Sequence, residues 1–287
     1  MKPAPFAYTR PTTLTRALET LAGEPDAKVL AGGQSLVPLL SMRLAAPAAL
    51  VDINGIAGLD QIEVDDDGVR VGALARHAAV LAHPGARQAQ PLLAMALHHV
   101  AHPTIRNRGT TVGSIVHADA AAEMPVVLRL LGGSVEAVSS TGTRTIEAAD
   151  LFVGPLESSL RHDEIAVSAY FPRLGPGEGV AFDELARRHG DYAMCGVAAL
   201  VRVQDGAVVS ARAGYLSVND TPVVVDLTAS LAGGVDDASL TAAGEAALLE
   251  LEPAEDIHAT AAYRAQLVRV LTGRVLRAAY DHALGRA

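Results

Sequence analysis

The sequence predicts an α+β protein of two domains, or three subdomains. Its 287 residues are enough to bury two sizeable cores. Pairs of short apolar runs joined by Asp-Gly or Thr-Gly turns predict β-hairpins, and apolar residues spaced three or four positions apart predict amphipathic helices. A stretch rich in Gly and Pro at residues 175–179 predicts a linker between the domains.

The sequence of residues 1–172 predicts short helices and strands in mixed order. Thr13 is placed to cap a helix that ends at Gly23, and Ser35 is placed to cap a second helix. Apolar runs with turn residues at their ends predict strands at 29–31, 49–53, 62–64, 69–71, 135–138, 143–146 and 164–171. Apolar spacing predicts helices after residues 72–77, at 92–100 and at 120–131, and Gly132 and Gly133 are placed to end the last of these.

The remainder of the chain predicts a small antiparallel sheet followed by helices. Residues 198–203 and 208–213 flank a Gln-Asp-Gly turn and therefore predict a hairpin. Helices are predicted at 240–251 and 260–284. The last helix has one apolar stripe, which is expected to pack as a single face: Tyr263, Leu267, Val270, Leu271, Val275 and Leu276.

Composition narrows the class of protein. The formal charge of −9 argues against a surface that binds nucleic acid or an anionic membrane. Cys195 is the only cysteine, which excludes a disulfide framework and a thiolate-bound metal cluster within the chain. Residues 1–11 lack an apolar signal segment, and no run is apolar enough for a membrane span. The expectation is a soluble, cytoplasmic protein.

Residues 28–38 are the first candidate binding stretch. An apolar run leads into Gly32 and Gly33, and Ser35 then opens a predicted helix. A strand that runs through glycines into a helix presents unpaired backbone N–H groups, which can receive a phosphate. The same pattern also occurs in ordinary turns, so this stretch alone does not assign a ligand.

Residues 106–115 form a second polar, glycine-bearing stretch, predicted as a loop between two helices. Two such stretches could hold the two phosphates of a dinucleotide. The first is not GxGxxG, and no following strand–helix alternation with an acidic residue supports a Rossmann unit. GxxxxGK[ST] is also absent from the sequence, which argues against nucleotide hydrolysis.

Three motifs resemble the FAD-binding medium subunits of molybdenum hydroxylases, the family of xanthine dehydrogenase and aerobic carbon monoxide dehydrogenase. They are AGGQSLVP followed by Arg43, IRNRGTTVGSIVHADAAAEMP, and RRHGDYAMCGVAA at residues 187–199. The resemblance spans the whole chain. It implies a two-subdomain FAD-binding fold of the vanillyl-alcohol-oxidase (PCMH) type at 1–174, divided near residue 55, and a C-terminal α+β flavoprotein domain at 180–287.

The resemblance also assigns residues to the cofactor. The first motif would wrap the pyrophosphate and ribityl region, the second would form another phosphate loop and supply polar partners, and the C-terminal domain would reach over the isoalloxazine. The residues so assigned are Val29, Leu30, Ala31, Gly32, Gly33, Gln34, Ser35, Leu36, His77, Val100, Ala101, Thr110, Gly113, Ser114, His117, Asp119, Glu123, Leu160, Tyr192 and Met194.

By the same resemblance, the chain would be an oxidoreductase subunit that passes electrons to an external acceptor. The electrons would come from a small subunit with 2Fe–2S clusters, and the substrate would react at a molybdopterin in a large subunit, in a doubled heterotrimer. No catalytic side chain is expected, because the chemistry is that of the cofactor. Two alternatives remain open: a self-contained flavin oxidase, and a non-catalytic assembly paralogue.

One position departs from the family pattern. The second motif usually carries two adjacent glycines, and Val112 replaces the first of them. A β-branched residue would be strained if the position required a positive φ. The alternative, which we favour, is that the loop has adjusted to an extended conformation that suits valine.

Several other residues allow two interpretations. His98, His99, His102 and His117 could suggest a metal site, but without acidic or thiolate partners helix-end capping is favoured. Cys195 is expected in the core, and the Asp65–Asp67 run is expected to be a solvated turn rather than a calcium site. Tyr192 could contact the flavin or fill a domain interface, and His77 could contact the cofactor or lie at the surface.

Overall fold

The computed structural model describes residues 2–286 and shows a mixed α/β protein with three main β-sheets. Met1 and Ala287, the outer ends of the two predicted domains, lie outside the described residues. In chain order the strands are β1 Ala7–Thr9, β2 Ala27–Leu30, β3 Ala49–Asp52, β4 Ile62–Val64, β5 Gly68–Gly72, β6 Ser134–Ser139, β7 Gly142–Glu147, β8 Phe152–Gly154, β9 Glu157–Ser158, β10 Ile165–Pro172, β11 Glu178–Ala186, β12 Ala193–Gln204, β13 Ala207–Leu216 and β14 Val223–Asp226.

Helices separate and cover these sheets. In chain order they are α1 Leu14–Gly23, α2 Leu36–Met42, α3 His77–Ala82, α4 Pro84–Ala89, α5 Pro91–His99, α6 Pro103–Arg106, α7 Thr111–His117, α8 Glu123–Leu131, α9 Ala148–Leu151, α10 Thr228–Leu231, α11 Asp237–Leu248 and α12 Ala261–Leu284. Within the described residues, no helix combines the length and the apolar character that a bilayer span requires.

The first sheet is a small parallel sheet with strand order β1–β3–β2. Thr13 caps α1 as predicted, because its hydroxyl accepts a hydrogen bond from the Arg16 backbone N–H at 3.4 Å. Helix α1 buries Leu18 and Leu21 in the same core as Val51 of β3. This unit carries the first glycine stretch at the C-terminal end of β2.

The second sheet is antiparallel, with strand order β4–β5–β10–β6–β7. The two predicted hairpins, β4–β5 and β6–β7, are both present. One face of the sheet packs on α5, α7 and α8 around a core that includes Val71, Leu97, Leu128, Val135 and Phe171. Gly132 ends α8 in a left-handed conformation, as predicted for a helix C-cap.

The third sheet, β11–β12–β13–β14, is antiparallel and contains the predicted third hairpin. Strand β12 is buried on both faces because its side chains alternate between two cores. Ala198 and Leu200 pack in the core shared with α5 and α8. Val197 and Val201 pack in the core formed with α12. The third sheet therefore packs on α5 and α8 with one face and on α12 with the other.

Several predicted boundaries were wrong. Helix α8 begins at Glu123 rather than Ala120, because the preceding residues form a turn in which Ala122 N–H donates to the Asp119 carbonyl. Helix α11 begins at Asp237, after an Asp236 capping box, and ends at Leu248 rather than Leu251.

The predicted face of α12 and the predicted linker also need correction. Tyr263 and Val270 are 43% and 45% exposed, because the helix turns them away from the sheet. Residues 175–179 are a linker only in part, since β11 begins at Glu178. A Cβ atom on Gly179 would clash with the Ala279 carbonyl of α12. This glycine therefore allows strand and helix to touch.

Candidate functional site

The first glycine stretch forms the turn between β2 and α2. Gly33 has a φ of 75°, a conformation that favours glycine. Within residues 2–286, the backbone N–H groups of Gly33, Gln34 and Ser35 donate to no protein acceptor. Three successive free donors at the end of a strand suit an anion. Val29 and Leu30 are half-buried in the strand that leads into them, and Leu36 is half-buried at the start of α2.

Ser35 does not cap α2 with its side chain, contrary to the prediction. It occupies the position before the helix but has helical torsion angles, φ −99° and ψ −47°, and its hydroxyl accepts no capping hydrogen bond. A capping side chain usually requires an extended backbone. The Gln34 side chain instead donates to the Gly32 carbonyl at 3.2 Å and stiffens the turn.

The second stretch is helical, and the predicted loop is wrong from Thr111 onward. Thr110 is the N-cap of α7, and its hydroxyl accepts a hydrogen bond from Gly113 N–H at 3.1 Å. Ser114 N–H donates to the Thr110 carbonyl at 3.0 Å. The backbone donors of Gly113 and Ser114 are therefore already used within the protein.

Val112 lies in the first turn of α7 and is buried in the core. It is not among the residues with positive φ. The hypothesis of a strained valine is wrong, and so is the favoured extended conformation, because the backbone here is helical. A helical position accepts valine without left-handed strain, so the departure from the family glycine gives no structural reason for a defective site.

The two stretches meet at Gly32. A Cβ atom on Gly32 would lie 2.6 Å from the Arg108 carbonyl oxygen and 2.8 Å from Gly109 Cα. These distances are too short for any side chain, so the two backbones touch. Residues 76 positions apart in the sequence, Gly32 and Arg108, thus share one wall of the site.

His77 is buried beneath this contact, so the surface alternative was wrong. Its backbone N–H donates to the Gly109 carbonyl at 3.0 Å, and its Nδ1 lies 3.2 Å from Thr111 Oγ1. Burial, together with the smaller effect of the Arg106 charge, lowers the pKa of His77 to about 4. The imidazole is therefore neutral at pH 7 and positions the second stretch.

The segment after α5 forms another part of the site. Ala101 has a φ of 41°, and the Arg106 guanidinium donates to the Val100 and Ala101 carbonyls at 2.7 and 2.9 Å. The side chain of Val100 is in the core, and Leu160 packs against the same core half-buried. The segment is therefore held by hydrogen bonds from the Arg106 side chain to its carbonyls.

A loop of the C-terminal domain lies against this segment. A Cβ atom on Gly190 would lie 2.9 Å from the Ala101 carbonyl, and the rings of His189 and His102 are 6.4 Å apart. Tyr192, at the end of the loop, is 61% exposed. Met194 lies instead in the C-terminal core, and its carbonyl accepts a hydrogen bond from Arg264 at 3.0 Å.

Acidic groups gather beside Tyr192. Partial shielding from solvent raises the pKa of Tyr192, and the nearby acidic groups Asp119 and Glu123 raise it further. Burial also raises the pKa of Glu123 to about 8, with Glu184 of β11 as the next cause. Burial lowers the pKa of His117, at the end of α7, and the nearby charge of Asp119 opposes this effect. Glu123 therefore carries a proton at pH 7.

Glu184 and His99 were missed as part of this group. The Glu184 side chain is 5% exposed, with Oε1 at 3.5 Å from His99 Nδ1, and its Oε2 has no hydrogen-bond partner within residues 2–286. The hydrogen bond to Glu184 raises the pKa of His99. Neither residue belongs to a glycine motif. Only the position of Glu184 on a buried strand could have indicated it.

Asn54 and Arg76 were also missed. The Asn54 amide donates to the Ala31 carbonyl at 2.8 Å, and Arg76 donates to Asn54 Oδ1 and to the Arg108 carbonyl, both at 2.6 Å. These side chains connect the two glycine stretches. A polar residue directly after a predicted strand, as Asn54 is, was the only sequence signal available.

Comparison with known proteins identifies the class to which this arrangement belongs. Residues 4–174 match the family model described as FAD binding domain in molybdopterin dehydrogenase, and residues 180–279 match the CO dehydrogenase flavoprotein C-terminal domain. The chain therefore belongs to the family of FAD-binding subunits of molybdenum hydroxylases and is an oxidoreductase subunit. The resemblance inferred from the three motifs is confirmed.

Individual relatives match over nearly their full length. The 6-hydroxypseudooxynicotine dehydrogenase complex subunit alpha of Paenarthrobacter nicotinovorans is 42% identical, with 99% of this chain and 97% of the relative covered. Carbon monoxide dehydrogenase from Hydrogenophaga pseudoflava superposes with a TM-score of 0.94 at 32% identity, covering 98% and 99%. Quinoline 2-oxidoreductase from Pseudomonas putida 86 superposes with a TM-score of 0.93 at 36% identity, covering 99% and 100%.

Proposed function

We propose that this chain is the FAD-carrying electron-transfer subunit of a molybdenum hydroxylase complex. It would pass electrons from an iron–sulfur subunit through FAD to an external acceptor. The observation that carries the proposal is the backbone contact between Gly32 and the Arg108–Gly109 peptide. This contact brings two glycine stretches together next to a row of free N–H groups, in a chain of the FAD-binding family.

The residues of the site fit a diphosphate. Gly33, Gln34 and Ser35 present free N–H donors, and such donors stabilise phosphate oxygens without adding side-chain bulk. The bound flavin would supply the capacity to accept and release electrons. The chain would bind and orient it, and no side chain is assigned to proton transfer.

We infer that FAD lies extended between two subdomains of a PCMH-type fold, at about 1–55 and 56–174, with the domain at 180–287 reaching over the flavin. The two sheets on either side of Asn54 and the Gly190 contact with Ala101 support this division. The residues we propose to contact FAD are Val29, Leu30, Ala31, Gly32, Gly33, Gln34, Ser35, Leu36, His77, Val100, Ala101, Thr110, Gly113, Ser114, His117, Asp119, Glu123, Leu160, Tyr192 and Met194.

The partner subunits are part of the proposal. Relatives of this chain are named as the medium subunit of nicotine 6-hydroxylase and the medium chain of carbon monoxide dehydrogenase. A solved relative is described as a carbon monoxide dehydrogenase that lacks the Mo-pyranopterin moiety of its molybdenum cofactor. We infer a small subunit with 2Fe–2S clusters and a large subunit with molybdopterin, in a doubled heterotrimer in the cytoplasm.

Purification and reconstitution test the function. The chain should bind FAD non-covalently, so acid or heat precipitation should leave a colourless pellet and a yellow supernatant. Co-expressed with an iron–sulfur small subunit and a molybdopterin large subunit, the loaded chain should lose its flavin absorption when substrate is added without an acceptor. A chain that takes up no FAD would refute the proposal, and substrate turnover by the chain alone would indicate a self-contained oxidase.

A further inference from the structure

We propose that Asn54 and Arg76 act as a clamp that sets the spacing of the two glycine stretches. They would be positioning residues for the diphosphate of a dinucleotide held between these stretches. The inference rests on the proposed function, because the ligand in question is FAD. It adds two residues that lie outside the glycine motifs.

Asn54 holds the first stretch. It follows β3 in a single 3-10 turn, and its Nδ2 donates to the Ala31 carbonyl at 2.8 Å. Ala31 directly precedes Gly32, so this hydrogen bond fixes the peptide from which the glycine turn begins. The same amide group also donates to Asp52 Oδ1 at 2.6 Å, which fixes the orientation of the side chain.

Arg76 holds the second stretch and links it to Asn54. Its two terminal nitrogens donate in different directions, one to Asn54 Oδ1 and the other to the Arg108 carbonyl. A planar guanidinium presents such donors in a fixed geometry, which a lysine ammonium does not reproduce. The chain of contacts therefore runs from the Ala31 carbonyl through two side chains to the Arg108 carbonyl.

The clamp is anchored in the parallel sheet. Asp52, at the end of β3, accepts hydrogen bonds from the Tyr8 hydroxyl at 2.5 Å and from Asn54 N–H at 2.9 Å. Burial opposes ionisation of Asp52, but the hydrogen bonds from Tyr8 and Asn54 outweigh it and lower the pKa of the carboxyl. Asp52 is therefore ionised at pH 7 and acts as a fixed acceptor.

The position of the clamp explains why it would matter for a ligand. The two carbonyls that it holds flank the Gly32 contact, where the two backbones already touch. Without the clamp the two loops could separate, and the free N–H groups of Gly33, Gln34 and Ser35 would then shift relative to the second stretch, which bounds the site on its other side. A diphosphate needs donors at a fixed separation, because hydrogen bonds weaken steeply with distance and angle.

A different role for Arg76 must be separated from this one. Its guanidinium could act simply as a positive charge that attracts phosphate. A charge would be preserved in Arg76→Lys and its effect would weaken with added salt, whereas a clamp requires the two-directional geometry. The conservative variant therefore distinguishes the two roles.

The experiment uses the full-length chain, freed of flavin and titrated with FAD by fluorescence at low and high salt. The variants are Asn54→Ala, Arg76→Lys, Arg76→Gln and the double variant Asn54→Ala/Arg76→Gln. Arg277→Lys is the matched control, because Arg277 likewise donates to one carbonyl, that of Val235, and one side-chain oxygen, on Asp237, in the C-terminal domain. Competition with ADP and the melting temperature of each flavin-free protein are measured alongside.

Each single variant should raise the Kd for FAD about tenfold, the size expected for losing a hydrogen bond that involves a charged group. The Kd of the double variant should be no higher than that of the weaker-binding single variant. Asn54 and Arg76 belong to one chain of hydrogen bonds, so breaking it at either residue is expected to remove the whole effect. ADP affinity should fall in parallel, and Arg277→Lys should bind FAD as the parent does.

Parental FAD affinity in Asn54→Ala would overturn the clamp. So would parental affinity in Arg76→Lys with salt-sensitive loss in Arg76→Gln, or effects that multiply in the double variant. A fall in melting temperature without a change in Kd would also overturn it, since it would show a role in folding alone. If the parent protein fails to bind FAD, the proposed function is wrong. If the parent binds FAD and the variants bind it equally well, only the clamp is wrong.

Discussion

The backbone of Gly32 lies against the carbonyl of Arg108, so that a Cβ atom on Gly32 would be 2.6 Å from that oxygen. Gly32 is thus required for lack of space, whereas Gly33, with its φ of 75°, is required for its conformation. Adjacent glycines in one motif therefore have different physical reasons. Gly32 is required by a contact with a distant segment, whereas Gly33 is required by its own backbone conformation.

Gly32→Ala is expected to weaken FAD binding at least tenfold, because the added methyl group must push the two stretches apart. Flavin titration of the full-length chain measures the effect. Gly23→Ala is the matched control, since a Cβ there meets no atom within 4 Å. Unchanged FAD affinity in Gly32→Ala would show that the contact can relax without consequence for the ligand.

The structural features predicted correctly from the sequence are those determined by residues close together in the chain. The three hairpins follow from turn residues and alternating apolar runs, and the Thr13 cap and the Gly132 C-cap follow from single residues at helix ends. These features are local, so one sequence was sufficient to predict them.

The sequence did not predict the features that depend on contacts between distant segments. The Arg76 side chain contacts a residue 22 positions away and another 32 positions away, and no periodic pattern marks either contact. The second glycine stretch was assigned as a loop because polar residues and glycines obscure a short helix. Its helical start rests on the Thr110 cap and on the burial of Val112 and Ile115.

Val112→Gly is expected to destabilise the protein by about 2.5–4 kcal/mol. A buried valine side chain contributes roughly 1.5–3 kcal/mol, and glycine in a helix costs about 1 kcal/mol more than alanine. Urea unfolding measures the loss, and Val112→Ala separates the packing part from the backbone part. A gain in stability with glycine would mean that residue 112 has a left-handed backbone after all.

Cys195 is expected to be chemically inert in the folded protein. It is fully buried in β12, and burial raises the pKa of its thiol to about 12, so almost no reactive thiolate is present at pH 8. A disulfide reagent at that pH should modify no thiol in the native chain and one thiol per chain in urea. Rapid reaction of the native protein would contradict the buried position.

Glu123 should make the stability of the flavin-free chain depend on pH. Burial, with smaller contributions from Glu184 and Asp119, raises its pKa to about 8. In the unfolded chain the carboxyl has an ordinary pKa near 4.5, so between these values the folded state binds the extra proton. Protonation therefore favours folding below pH 4.5, and this advantage is lost as the pH rises through 8.

Glu123→Gln keeps a neutral, hydrogen-bonding side chain and removes this titration. The variant should match the parent most closely at low pH and become progressively more stable than the parent toward pH 9. Comparing the two proteins cancels the contributions of other groups, including His77, whose lowered pKa acts in the acid range. Melting temperatures at pH 5, 7 and 9 measure the difference, with the exposed Glu63→Gln as control. A difference between variant and parent that stays constant across this range would show that Glu123 is ionised in the folded protein, and that the carboxylates of Glu184 and Asp119 do not govern it.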